Sequence, residues 1–126
     1  MSDKVSTFRD LHVYQNAMRL AMEIFKLTKS FPNDEKFSLI DQVRRSSRSV
    51  PANIAEAWRK RRYQKAFVAK LSDAESEAAE CQVWIEMAYR CGYATKEEME
   101  RLDTGYEHIL SQIVLMVLNV NKWLIK

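Results

Sequence analysis

Apolar residues three and four apart recur along almost the whole chain, a spacing that leaves few folds other than packed helices. In the first run, Val13, Ala17, Leu20, Ile24, Leu27 and Phe31 follow one another at alternating steps of four and three. The second reads Ile40, Val43, Ser47, Val50, Ile54 and Trp58, and the third Phe67, Leu71, Ala74, Ala78, Cys81, Ile85 and Ala88. The fourth runs Met99, Leu102, Tyr106, Ile109, Ile113, Met116, Val120 and Trp123. Two glycines and two prolines in 126 residues leave little material for tight turns or bulges. The fold expected is all-α: an antiparallel, up-down-up-down four-helix bundle, a single domain over residues 1–126.

The boundaries follow from local chemistry. Residues 1 to about 9 read as a loose arm, and Asp10 as the N-cap of the first helix. Phe31-Pro32-Asn33-Asp34 ends that helix, because proline disfavours helical geometry at the residue before it. The second helix is expected from near Glu35 to a break between Trp58 and Gln64; without a break, one helix would run on to Cys91, which is out of proportion for so short a chain. Gly92 suits the left-handed position after the third helix. Thr95 and Glu98 match a capping box at the start of the fourth. Pro51 falls inside the second helix, where its ring presses on the carbonyl of Ser47 at a cost of about 3 kcal/mol, so a kink held by its surroundings is expected there.

Two helices carry more apolar surface than one bundle core needs. Leu11, Tyr14, Met18, Met22 and Phe25 form a second row on the first helix, and Leu110, Val114, Val117 and Leu124 on the fourth. A second stripe points to another subunit, and so to a homo-oligomer.

Charge is unevenly spread. The net charge is only +3. Yet residues 34–62 hold eight basic and four acidic residues, and residues 63–91 three basic and five acidic. Arg44, Arg45, Arg48, Arg59, Lys60, Arg61 and Arg62 all fall on or just past the second helix. The plain reading is a solvated face with ion pairs Asp41–Arg45 and Glu56–Lys60 at i,i+4 spacing. The sharper one is a phosphate-binding stripe on which Arg44 and Arg48 share a face with Arg59 and Arg62. Trp58 and Tyr63 are the only aromatics interleaved with it, so binding of RNA or DNA through this stripe would be backbone-directed.

Signs of catalysis are scarce. The chain has no Gly-rich phosphate loop and no G-x-S-x-G. Neither His12 nor His108 has an acid three residues before it, so the Glu-x-x-His pair of bundle di-iron sites is missing, and no cofactor or metal is expected. Cys81 and Cys91 read as buried free thiols in a reducing cytoplasm. No apolar run reaches membrane-spanning length. Arg101 and His108 resemble the R-x(4–6)-H motif of the HEPN family of helical ribonucleases, although Leu102 stands where that motif usually has a polar residue.

A wider resemblance covers nearly the whole chain. Phe8-Arg-Asp-Leu-His-Val-Tyr-Gln, Gln42-Val-Arg-Arg, Ser49-Val-Pro51-Ala-Asn53-Ile-Ala-Glu56, and Glu80 with Gly92-Tyr93 resemble the small bundle proteins encoded within intervening sequences of bacterial 23S ribosomal RNA genes. Ala57 departs from a usual glycine, and Ser76-Glu77 from a usual Gly-Ser. The resemblance implies a ring, a pentamer, and kinship with accessory proteins that bind nucleic acid and a reverse transcriptase. Three expectations result: a non-enzymatic oligomer that binds nucleic acid or a nucleic-acid-processing partner through the second helix, a ribonuclease using Arg101 and His108, or a purely structural oligomer.

Overall fold

A computed structural model describes residues 4–125. Four long helices, α1 (His12–Thr28), α2 (Leu39–Arg59), α3 (Gln64–Arg90) and α4 (Lys96–Leu118), are followed by one turn, α5 (Val120–Trp123). Each long helix packs against two neighbours, closing the circuit α1–α2–α3–α4–α1, with α2 against α3 the most extensive seam. Short connections make successive helices antiparallel, and the result is a four-helix bundle.

The core is built from the four apolar seams. Ala17, Val50, Ile54, Phe67, Leu71, Ala74, Ala78, Cys81, Tyr106, Ile109 and Ile113 are fully buried. Ser46 and Ser47 of α2 are buried, as are Ala74, Ala78 and Ala88 of α3, and the two hydroxyls donate back to the carbonyls of Gln42 at 2.6 Å and Arg44 at 3.1 Å. A buried hydroxyl satisfied within its own helix asks nothing of the partner, so the two helices can close. α2 runs through Pro51, which is buried.

Several boundaries fall where the local chemistry indicates. Gly92 has φ +82°, and the Thr95–Glu98 capping box is formed in both directions, at 3.0 and 2.8 Å. α2 ends at Arg59 and α3 begins at Gln64.

Others differ. Asp10 does not cap α1. Its carboxylate accepts from the backbone N–H groups of Ser6 and Thr7, closing a capping box around a 3-10 turn at Phe8–Asp10. Those two bonds, Ser6 first, hold the Asp10 carboxyl below its ordinary value. The expected loose arm is therefore docked over its described part, with Phe8 edge-to-face on Tyr14 at 5.0 Å; residues 1–3 of it lie outside the described residues. α2 begins at Leu39, not near Glu35, because Asn33–Glu35 form a 3-10 turn and the Glu35 carboxylate turns back to accept from Ser38 Oγ and Leu39 N. α4 stops at Leu118, and α5 carries Val120 and Trp123.

The second apolar rows are only partly open. Leu11 is buried and Tyr14 half-buried beneath the docked N-terminal segment, while Met18 and Met22 are exposed. On α4, Val114 is exposed, and so are Leu115 and Leu118, which no sequence row included.

Candidate functional site

The basic residues of α2 do not form one stripe. Helix α2 stops at Arg59, so Arg62 lies in the α2–α3 corner and not on a helical face with Arg44 and Arg48. Arg59 itself is eleven residues beyond Arg48, about 16 Å along the axis. Arg61 is folded inward: its Nε donates to the Trp58 carbonyl at 2.8 Å, and its guanidinium lies 3.4 Å from the Trp58 ring centroid. Burial, then the charge of Arg59, brings the Arg61 group below its ordinary value. Arg59, Lys60 and Arg62 remain exposed at this corner.

The other half forms a groove of about 610 Å³ along the first half of α2. Its lining comes from Ile40, Asp41, Arg44, Arg45, Arg48, Ser49 and Ala52, one continuous strip of the helix, with Lys36 and Phe37 from the segment before it. Asp41 is the one carboxylate among these residues, and it pairs with Arg45 at 3.2 Å. Phe37 is 86% exposed, with Lys36 Nζ 5.4 Å from its ring centroid.

Arg44 is oriented from behind. Its Nε donates to Thr28 Oγ1 on α1 at 2.8 Å, and its guanidinium sits 4.9 Å from the centroid of Phe25. Arg48 approaches the same ring at 5.9 Å. Among the described residues no carboxylate pairs with Arg44 or Arg48. Both charges thus face the groove without a counter-charge, and the first is locked in place by a buried threonine.

The motif residues around the groove are occupied with the helix. Gln42 supplies a carbonyl to Ser46, and Asn53 donates to the Ser49 carbonyl at 2.9 Å. Glu56 pairs with Lys70 of α3 at 2.8 Å rather than with Lys60. Glu80 accepts from Trp84 Nε1 at 3.2 Å. Glu77, one of the departures in the α3 motif, is half-buried, and burial followed by the nearby Glu80 pushes its carboxyl up.

Arg101 and His108 lie two turns apart on α4, both exposed, and Arg101 is held by Glu23 of α1 at 3.4 Å. Of the cysteines only Cys81 is buried; Cys91 is exposed, because it follows the last residue of α3. Cys81 sits beside Ser46 and Tyr106, and burial pushes its thiol up to about 12. The Tyr106 hydroxyl, fully buried, is pushed up as well, chiefly by burial, and has no partner with hydrogen-bond geometry. No group of three or more His, Cys, Asp or Glu able to hold a metal ion occurs among the described residues, and no helix there is long and apolar enough to cross a membrane.

Sequence reasoning did not find Phe37 and Lys36. Phe37 stands three residues before Ile40, so its spacing places it at the head of the α2 seam; the helix begins only at Leu39 and leaves the ring in solvent.

A four-helix bundle with a cationic groove along its second helix is the class of protein the structure defines. Within that class the chain belongs to the 23S rRNA-intervening sequence protein family, which residues 9–114 match. Its fold is similar to the crystal structure of a protein of unknown function from the S23 ribosomal protein family of Bacteroides thetaiotaomicron, with TM-score 0.75 and 30% identity over 83% of this chain and 97% of that one. No curated protein matches.

Proposed function

We propose that this protein is a non-enzymatic, oligomeric helical bundle that binds the phosphate backbone of nucleic acid through the α2 groove. The observation that carries this reading is the charge balance of one concavity. Lys36, Arg44, Arg45 and Arg48 line it, against a single carboxylate that Arg45 already engages. Such a groove attracts a polyanion by counterion release and offers little for reading base edges. The exposed Met18 and Met22, which line a second, mostly apolar groove with Ala21, Phe25, Pro51 and the neighbouring Arg48, support self-association, as do Val114, Leu115 and Leu118. A ring, a pentamer in the arrangement the resemblance implies, would multiply one weak groove through avidity.

The test is affinity for RNA and for DNA as a function of salt, with native mass measured alongside. Arg44→Ala, Arg45→Ala and Arg48→Ala should each weaken binding about equally across sequences and flatten the log–log salt slope by about one unit. The RNA should remain intact. A parent that binds neither polymer at low salt, or whose native mass equals one 14.8 kDa chain, would overturn the corresponding half of the reading.

A further inference from the structure

Phe37 is the largest apolar side chain left almost wholly in solvent, 86% exposed, and it stands in the lining of the basic groove rather than on either apolar strip. An isolated exposed phenylalanine buries nothing within its own chain. Its neighbours define what could cover it: Lys36 stands 5.4 Å over its ring, and Arg44, Arg45 and Arg48 share the concavity. An apolar partner segment would have to desolvate these cations without neutralising them, which is costly. A nucleotide meets both demands at once, since its base has a π-face and its phosphate a negative charge.

From this juxtaposition we propose that the groove takes single-stranded nucleic acid, with an unpaired base stacked on Phe37 and the adjoining phosphates on Lys36, Arg44 and Arg48. This deepens the backbone-binding reading and rests on it. A duplex keeps its bases stacked on one another and offers Phe37 no free face, so the groove discriminates by strandedness. The arrangement of Arg44 favours it further. With Nε committed to Thr28 and the guanidinium against Phe25, the group is fixed before the ligand arrives, and less side-chain freedom is lost on binding. Sequence preference should be slight, because every base presents a π-face.

The experiment compares the parent with Phe37→Ala and Phe37→Trp on three probes: a 12-nucleotide single strand carrying 2-aminopurine (a length of about one groove's site size), the same strand in a blunt duplex, and inorganic polyphosphate. The parent should bind the single strand more tightly than the duplex and quench the 2-aminopurine. Phe37→Ala should lower single-strand affinity roughly ten-fold and abolish the quench. Phe37→Trp should preserve both, and polyphosphate affinity and native mass should stay at parental values in each variant. If Arg44→Ala weakens all three probes while Phe37→Ala changes none, the backbone reading stands and base stacking is overturned. If Phe37→Ala lowers the native mass, Phe37 belongs to a subunit contact and the proposal falls. If the parent binds neither oligonucleotide nor polyphosphate, both readings fall together.

Discussion

Arg44 of α2 and Thr28 of α1 are joined by a 2.8 Å hydrogen bond from Nε to Oγ1, and the same hydroxyl donates to the Ile24 carbonyl at 2.8 Å. Thr28 is buried, so the bond fixes a guanidinium at the surface from an anchor inside the bundle. Thr28→Val keeps the shape and removes the acceptor. Stability should fall by about 1.5–3 kcal/mol, the usual loss for a hydrogen bond to a charged group. Nucleic-acid affinity should fall by less than in Arg44→Ala, since the charge remains while its orientation is lost. Urea denaturation and salt-dependent binding, run on the same samples, separate the two effects.

Gly105 marks a close approach of α4 to α1. A Cβ there would stand 2.9 Å from both terminal methyls of Leu20, which is itself buried. Alanine would gain about 1 kcal/mol in helix propensity. The overpacking should cost about 1–3 kcal/mol and so outweigh that gain. Gly105→Ala should be destabilising in the parent and nearly neutral or stabilising in a Leu20→Ala background, where the methyls are gone. A double-mutant cycle by thermal melting checks the coupling.

The two thiols should differ sharply in reactivity. The thiolate is the reactive form, and burial holds Cys81 far from it, whereas Cys91 is exposed. In the native protein a thiol reagent should modify one cysteine per chain, at Cys91, and the second only after denaturation. Peptide mass mapping reads the site directly.

Glu35 ties the start of α2 to the α3–α4 connection, accepting from Ser38 Oγ at 2.6 Å and from the Tyr93 hydroxyl at 2.9 Å. The Ser38 bond first, and the Tyr93 bond second, hold its carboxyl below the ordinary 4.5. A lowered carboxyl pKa contributes stability that is complete above the unfolded value and is lost as pH falls through the folded one. The tie should therefore be intact at neutral pH and loosen only in acid, below about 4.5. Tyr93→Phe should move the Glu35 titration upward, toward that value, in a carboxyl-detected NMR titration; no upward movement would mean the tyrosine does not hold the carboxylate in solution.

What the sequence disclosed was mostly local or periodic. The seam residues from Val13 to Met116 could be read because a 3.6-residue period survives any tertiary detail. Gly92 and the Thr95–Glu98 box could be read because their partners lie within four residues. Asp10 misled for the same local reason: it does cap a turn, but the one begun by Thr7, and nothing in the residues ranks the two. The anchoring of Arg44 depends on Thr28, sixteen residues earlier on another helix, and the pairing of Glu56 with Lys70 on the packing of α2 against α3. No spacing rule within one helix reaches such contacts. Phe37 escaped notice because its three-residue step to Ile40 reads as one more seam position, whereas α2 begins only at Leu39 and the ring stays outside the bundle.

Three cations crowd the ring of Phe25: Lys29 at 4.7 Å, Arg44 at 4.9 Å and Arg48 at 5.9 Å. One aromatic ring cannot cancel three like charges, so this junction of α1 and α2 holds mutual repulsion as a spring holds compression. Salt relaxes it by screening, and a polyanion relaxes it further by neutralising the charges outright. The α1–α2 face should therefore be least stable in dilute buffer, where screening is weakest. On the proposed reading, a strand of phosphates drawn to Arg44 and Arg48 would act on the fold as much as on the site, and occupancy and rigidity of the α1–α2 face would rise together.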